Sequence, residues 1–110
     1  RAFTDCNHLQ SITIPEGVTI VENFAFYYCY NLKSCTLPQS LIEIGGYAFD
    51  GCSKLESITF PDGLEKIGIE AFCGCTSLTS VTIPNSVVDV GVCAFGACLR
   101  VNTPQMVAVA

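Results

Sequence analysis

Apolar residues recur along this chain in evenly spaced groups that follow the same order. Each group opens with a short segment in which hydroxyl and apolar residues alternate, such as residues 57–60 (Ser-Ile-Thr-Phe), and proline follows at once. Alternation with a period of two predicts a half-buried strand. Proline lacks the amide hydrogen that extends a ladder, so we expect each strand to end there. The four segments are 11–14, 34–37, 57–60 and 80–83.

After the turn, the chain returns through two further apolar positions. Gly45, Gly68 and Gly91 follow the second of these in three groups, whereas Glu22 stands there in the first, and the glycines predict a tight bend. Each group closes on Ala-Phe, with Cys three residues later, a spacing that puts Phe and Cys on one face of a single helical or 3₁₀ turn. These positions are Ala25-Phe26, Ala48-Phe49, Ala71-Phe72 and Ala94-Phe95, with Cys29, Cys52, Cys75 and Cys98.

The whole pattern repeats every 23 residues. A fixed period in this range predicts stacked repeats, in which neighbouring units bury the residues that one unit cannot cover alone. We expect one solenoid domain over 1–110, with strands that form one parallel sheet of four or five members, about 20 Å wide. Its parts are a partial repeat at 1–8, repeats at 9–31, 32–54, 55–77 and 78–98, and an irregular C-terminal segment at 99–110.

Composition narrows the classes of partner. Half of the chain is hydrophobic and 14% is charged, but no apolar run is long enough to span a membrane. The net charge is −5, and the lysines and arginines are scattered. Nucleic acid and anionic lipid are therefore disfavoured as partners, and protein partners remain.

The eight cysteines have two interpretations. Five of them share one position of the repeat, and Cys35 stands where other repeats carry Ile or Val, so we interpret these six as small buried apolar residues. Disulfides between stacked repeats are the alternative. Cys73 and Cys93 fall outside the pattern.

Residues suited to catalysis or metal binding are few. Cys6 and His8 could form a nucleophile and base, but their positions belong to a core column and a polar column. Cys73 and Cys75 form one pair of thiols, whereas a structural zinc site needs four ligands. The sequence has no phosphate-loop motif. We therefore expect a non-enzymatic protein with no cofactor and no metal.

Two surfaces are candidates for binding. Tyrosines of the first repeat occupy positions where later repeats carry small or polar residues such as Gly51, Ser53 and Gly74, so the fold does not require them; local packing is the alternative explanation for the aromatics. In the fourth repeat, Val88 and Val92 add apolar side chains in a region where Glu65 and Glu70 of the third repeat show that polar residues suffice. The predicted sheet offers a second, hydroxyl-rich face, which is either a solvated surface or a hydrogen-bonding platform. The interface candidates are Phe24, Tyr27, Tyr28, Tyr30, Tyr47, Val88 and Val92, and the sheet-face candidates are Gln10, Thr13, Lys33, Thr36, Glu56 and Thr59.

The repeat unit reads L-x-S-x-T-I-P-x-x-[VL]-x-x-[VI]-G-x-x-A-F-x-x-C and resembles the BspA-like class of leucine-rich repeats, over residues 9–98. The resemblance implies an α/β fold: a right-handed leucine-rich-repeat solenoid with one parallel sheet and short helical or 3₁₀ turns opposite. Family members are largely surface-exposed or secreted proteins linked to adhesion and protein binding, and they share no catalytic residues.

Two functional hypotheses follow. The first is a protein-binding repeat module in a cell-surface or adhesion array, with the compartment left open by the sequence itself. The second is a structural or linker subunit packed inside a large assembly, with contacts that include the ends of the stack. The apolar residues outside the core columns motivate the second.

Overall fold

The computed structural model describes residues 6–79 and 81–96, together with the backbone of 101–102. Ala2, Phe3, Ser80, Cys98 and most of the C-terminal segment 99–110 lie outside the described residues. Within them, the chain forms eight short strands. These are β1 (Ser11–Thr13), β2 (Ile20–Val21), β3 (Ser34–Thr36), β4 (Glu43–Ile44), β5 (Lys66–Ile67), β6 (Val81–Thr82), β7 (Asp89–Val90) and β8 (Val101–Asn102).

All strand pairs are parallel, and they form three sheets: β1-β3, β2-β4-β5-β7 and β6-β8. In the first two sheets every strand pairs with the equivalent strand of the next repeat, as Ser11 does with Ser34 and Glu43 with Lys66. In the third, Val81 pairs with Val101 at a shorter offset, which agrees with the irregular end of the sequence pattern. Successive repeats are therefore joined by parallel pairing of equivalent backbone segments.

The predicted single sheet of four or five strands is wrong. In the third repeat only Ser57 joins the ladder, through one bridge to Ser34, and residues 58–60 form no strand. Phe60 stands where the other repeats carry Ile or Leu, and its ring packs edge-on against Phe72 and Phe95, at 5.6 and 6.3 Å between ring centroids. We attribute the interruption to this larger side chain, which fills space between the third and fourth repeats.

A second sheet, not predicted from the sequence, lies on the return segment. Strands β2, β4, β5 and β7 each place an apolar residue inward, and the inward residues of the middle two, Ile44 and Ile67, are buried. The outward positions are Ile20, Glu43, Lys66 and Asp89, and all but Glu43 are exposed. The register sets Lys66 between the two carboxylate residues Glu43 and Asp89 on the flanking strands, an arrangement that favours this stacking order.

The predicted helical or 3₁₀ turns are also corrected, because the described residues contain no helix. In the Ala-Phe segment, some amides donate within the repeat, as Cys29 N–H does to the Phe26 carbonyl (3.1 Å). The intervening amides donate to the next repeat, as Phe26 N–H does to Ala48 (2.7 Å) and Tyr28 N–H to Asp50 (2.8 Å). This alternation joins successive turns of neighbouring repeats, and we call the surface that it forms the turn face. Nothing in the described part of the chain forms a helix with the length and apolarity needed to cross a bilayer.

The core consists of ladders of equivalent residues. The rings of Phe26, Phe49, Phe72 and Phe95 stack with centroids 5.1, 4.9 and 5.3 Å apart, close to the usual spacing between strands. The buried thiols follow the same axis: Cys52 Sγ donates to the Phe26 carbonyl (3.2 Å) and Cys75 Sγ to that of Phe49 (3.1 Å). Seven cysteines are described, and all seven are free thiols. A buried thiol in this column thus satisfies a carbonyl of the preceding repeat.

Replacing Phe72 by Ala should lower the free energy of unfolding by about 3–5 kcal/mol, because it empties a fully buried site between two stacked rings. Chemical denaturation measures this change. Val92→Ala, at an exposed position, is the control and should change stability by less than about 0.5 kcal/mol. A denaturant midpoint for Phe72→Ala equal to that of the parent would contradict the placement of Phe72 in the stacked-ring core.

Buried thiols should also make stability fall at alkaline pH. Burial raises the pKa of Cys35 from 9.0 to about 12, so above pH 9 the unfolded chain releases this proton while the native state keeps it. The contribution of Cys35 to the free energy of unfolding should be constant below about pH 9 and decrease between about pH 9 and 12. In Cys35→Val, which matches Val81 in the same column, this decrease should be smaller. Identical pH profiles for variant and parent would refute the assignment.

Candidate protein-binding surfaces

Three of the five candidate aromatic residues pack against one another on the turn face. The rings of Phe24 and Tyr47 are stacked at 4.8 Å, and Tyr27 meets Phe24 edge-on at 5.2 Å. All three are half-buried. Phe24, Tyr27 and Tyr47 thus form a ring cluster, and Tyr27 also stacks on Tyr28.

Tyr28 and Tyr30 are the solvent-facing pair, with 47% and 46% of their surfaces exposed. The Tyr28 ring stacks on Tyr27 at 4.4 Å and lies directly over Gly51 of the next repeat, where a Cβ would come within 1.7 Å of Tyr28 Cδ1. Tyr28, Tyr30, Gly51 and Ser53 line a shallow groove, which we call the tyrosine groove. The groove exists because the repeat beside Tyr28 has no side chain at the equivalent position.

Backbone conformation explains where glycine occurs on this face. Tyr28, Gly51 and Gly74 occupy equivalent positions, and their φ angles are +56°, +80° and +76°. This is the left-handed region, which glycine enters without steric cost and tyrosine does not. Glycine at two of the three positions is the signal in the sequence for this left-handed backbone. A second left-handed column contains Phe24, Tyr47, Glu70 and Cys93.

One carboxylate residue, Asp50, is next in sequence to a residue of the tyrosine groove. Asp50 precedes Gly51, and its Oδ1 lies 3.7 Å from the point that a Cβ on Gly74 would occupy. Burial, and after it the negative charge of Glu70, raises the pKa of Asp50. Burial raises the pKa of the Cys73 thiol as well, and the charges of Asp50 and Glu70 add to that shift. Asp50 and Glu70 thus influence each other and Cys73 electrostatically.

The residues considered for chemistry are not assembled into a site. Cys6 packs against the core, whereas His8 is exposed, and no hydrogen bond joins the two. Cys75 is buried and Cys73 half-buried. Within residues 6–79 and 81–96, no group of three or more His, Cys, Asp or Glu side chains could hold a metal ion.

The sheet-face candidates all point to solvent, although the sheet beneath them is incomplete. Their backbones remain joined along the stack, since Lys33 N–H donates to the Gln10 carbonyl (2.8 Å) and Glu56 N–H to that of Lys33 (3.1 Å). Where the ladder stops after Ser57, shallow grooves lined partly by hydroxyl groups open between repeats. The exposed candidates are Gln10, Thr13, Lys33, Thr36, Glu56 and Thr59.

Val88 and Val92 lie at the opposite end of the stack from the tyrosines, and they are 83% and 65% exposed. Their backbones are nevertheless fixed: Val88 N–H donates to the Glu65 carbonyl and Glu70 N–H to the Val92 carbonyl, both at 3.0 Å. We call these two residues the valine patch. Their side chains contribute nothing to the core.

The repeat pattern can now be compared with known families. The sequence model for the BspA type leucine rich repeat region matches residues 1–105, in six copies. The chain belongs to this family. The match extends beyond the four complete repeats, into the partial repeat at 1–8 and the irregular C-terminal segment. Leucine-rich repeats are generally protein-interaction modules, and the family is generally non-enzymatic.

Two solved leucine-rich repeat proteins share the fold. One is the T. pallidum leucine rich repeat protein TpLRR, which is 39% identical, with a TM-score of 0.84 over 86% of this chain. The other is a leucine-rich repeat protein from Bacteroides ovatus, which is 38% identical, with a TM-score of 0.86 over 94% of this chain. The chain spans 44% of the first protein and 27% of the second. A comparison with curated proteins found no match.

Gly51→Ala should destabilise the fold by about 1–3 kcal/mol, because it forces an L residue into the left-handed region and drives a methyl group into the Tyr28 ring. Thermal or chemical unfolding measures the change. Gly63→Ala is the matched control, since its Cβ meets nothing within 4 Å. Introducing Gly51→Ala into a Tyr28→Ser background should cost less than in the parent. Equal costs in the two backgrounds would show that the ring and the glycine are not in contact.

Proposed function

We propose that this chain is a non-enzymatic protein-binding repeat module, part of a cell-surface or adhesion array. The stacked repeats form a frame that holds surface side chains in fixed places, and leucine-rich repeats generally bind proteins through such surfaces. The resemblance to a family whose members are largely surface-exposed or secreted supports the array.

The observation that carries the proposal is the exposed pair Tyr28 and Tyr30. Neither residue is part of the buried core, and Tyr28 is held at a φ that is unfavourable for tyrosine. The left-handed φ belongs to the repeat, since Gly51 and Gly74 share it, and the fold therefore does not require a tyrosine at position 28. Large, half-exposed aromatic side chains on a rigid support are also the residues that contribute most to protein interfaces.

The sheet-face residues form a second contact surface in this proposal. Hydroxyl groups and the side chains of Gln10, Lys33 and Glu56 offer hydrogen bonds along one side of the stack. Such polar contacts orient a partner but add little to the free energy of binding, because both groups form hydrogen bonds with water before they meet. We therefore place the main energetic contribution at Tyr28 and Tyr30.

A structural or linker role in a larger assembly is the second candidate, and the valine patch favours it. Val88 and Val92 leave most of their apolar surface exposed, and in an assembly a neighbouring chain would cover it. At the other end of the stack, Ile12, Ile14, Val18 and Phe26 are among the residues that line an apolar groove, which suits end-to-end contact with a further repeat unit.

A paired pull-down separates the two candidates. Proteins retained by the immobilised parent chain should be lost about tenfold or more with Tyr28→Ser/Tyr30→Ser, and they should be kept with Val88→Ser/Val92→Ser. Quantitative mass spectrometry of the retained proteins provides the measurement, and circular dichroism checks the fold of each variant. The reverse pattern would favour the assembly role. Retention unchanged in both variants would reject both surfaces.

A further inference from the structure

We propose that Cys73 and Cys93 are a modification site: under oxidising conditions they form a disulfide that joins the third and fourth repeats on the turn face. Both are free thiols in the structure, and both are half-buried. Disulfides persist in oxidising surroundings such as cell surfaces. The bond is therefore compatible with the role proposed above, and its formation does not depend on that role.

The fold does not require a cysteine at either position. Tyrosine, aspartate and glycine occupy the position of Cys73 in the other three repeats, and phenylalanine, tyrosine and glutamate occupy that of Cys93. Side chains of very different size and charge are thus tolerated at both places. By contrast, buried thiols such as those of Cys52 and Cys75 donate to main-chain carbonyls of the preceding repeat.

The two side chains converge beside Gly96. A Cβ built on Gly96 would lie 3.6 Å from Cys73 Sγ and 3.5 Å from Cys93 Cβ. Glycine therefore leaves open the space between the sulfur of the third repeat and the side chain of the fourth. A disulfide spans Cβ atoms about 3.5–4.5 Å apart. Two cysteines that flank one methyl-sized space can reach this separation through side-chain rotation and a small backbone shift.

The electrostatics of Cys73 agree with this closeness. Burial raises the pKa of the Cys73 thiol, and the negative charges of Asp50, Glu70 and Cys93 add to that shift. The thiolate is the form that reacts with a disulfide. We therefore expect oxidation to be slow near neutral pH and faster toward about pH 9.

The bond would join the repeats at a junction that has lost part of its backbone pairing. Among the described residues, no strand pairing connects 57–60 with 81–83, and β6 pairs with β8. Between the first two repeats, Ile14 N–H donates to the Thr36 carbonyl at 2.9 Å, whereas the equivalent Phe60 N–H makes no such bond to the described residues. A covalent bond on the turn face would strengthen this junction.

The reaction is a thiol–disulfide exchange with a small-molecule disulfide, for which oxidised glutathione is the probe. The thiolate of one cysteine attacks a glutathione sulfur, so that a mixed disulfide forms and one reduced glutathione leaves. The thiolate of the other cysteine then attacks the protein sulfur of that mixed disulfide and releases the second reduced glutathione. Two thiol protons and two electrons thus pass from the chain to glutathione.

Peptide mapping detects the bond. The folded 110-residue chain is incubated with oxidised and reduced glutathione at about pH 8.5, its free thiols are alkylated, and the unfolded product is cleaved before aspartate. Cleavage before Asp62 and Asp89 separates Cys73 from Cys93 unless a disulfide joins the two fragments. We expect joined fragments in which all other cysteines are alkylated, and an intact chain that is lighter by two hydrogen atoms.

Variants locate the bond. Cys73→Ser and Cys93→Ser should each lose the joined fragments and carry glutathione on the remaining cysteine. Cys6→Ser, which changes the other half-buried cysteine, should form the bond like the parent. Gly96→Ala places a methyl group between the two side chains and should slow bond formation at least about threefold, whereas the control Gly63→Ala should not. Circular dichroism checks the fold of each variant.

Amide hydrogen exchange measures the effect on the junction. Glu70 N–H and Phe72 N–H donate across it to the carbonyls of Val92 and Ala94. In the oxidised chain, exchange of these two amides should be at least about threefold slower than in the reduced chain. The amide of Phe26, at the equivalent place between the first two repeats, should change less.

Several results would overturn the proposal. Glutathione adducts on Cys73 and Cys93 without joined fragments would show that the thiols are reachable but not placed to pair. Failure of either thiol to react, or joined fragments that contain Cys75 in place of Cys73, would contradict the geometry directly. A bond that forms only in denaturant, or that lowers the denaturant midpoint of the oxidised chain, would show that the native fold does not accommodate it.

Discussion

Backbone hydrogen bonds between successive repeats are the constraint on which the rest of this structure depends. On the return segment and on the turn face, amides of one repeat donate to carbonyls of its neighbour, as Gly45 does to Val21 and Gly68 to Ile44. Each such bond fixes the neighbour at one strand spacing and in one register. A residue therefore meets its own equivalents above and below, and the four phenylalanine rings stack because the backbone has already set their separation.

The same constraint explains the unusual composition. A thiol is small enough to be buried against a stacked turn, and it donates to a carbonyl of the preceding repeat, as Cys52 does to Phe26. Serine in that place would be a polar group with a larger desolvation cost, and alanine would leave the carbonyl with one partner fewer. Close approach of neighbouring backbones similarly selects Gly68 and Gly91, where a Cβ would lie 2.4 and 2.3 Å from main-chain atoms.

Periodicity predicted the stacking and the inward residues, since an apolar ladder such as Leu32, Leu55 and Leu78 has no other explanation, and all three are fully buried. Periodicity did not predict the backbone conformation of the turns, because the pattern of apolar residues does not specify φ and ψ. The i, i+3 spacing of Phe and Cys fits a helical turn, but left-handed residues break the Ala-Phe segment into turns. The strand Ile20–Val21 and its equivalents are only two residues long, too short for alternation to be seen. Likewise, one bulky residue, Phe60, was not expected to interrupt the sheet.

On the candidate binding surface, the position within the repeat likewise does not determine how exposed a side chain is, because the neighbouring repeat also matters. The repeat pattern predicts the same role for all five aromatic residues. In the structure, Phe24, Tyr27 and Tyr47 pack together, whereas Tyr28 and Tyr30 face solvent. What distinguishes them is the neighbouring repeat: Tyr28 can lie flat because position 51 is glycine. In a stack of this kind, a surface residue and the residue one period later must be compatible, because they are adjacent. Two arrangements meet this requirement on the turn face: the Tyr28 ring covers a position without a side chain at Gly51, and the rings of Phe24 and Tyr47 stack on each other.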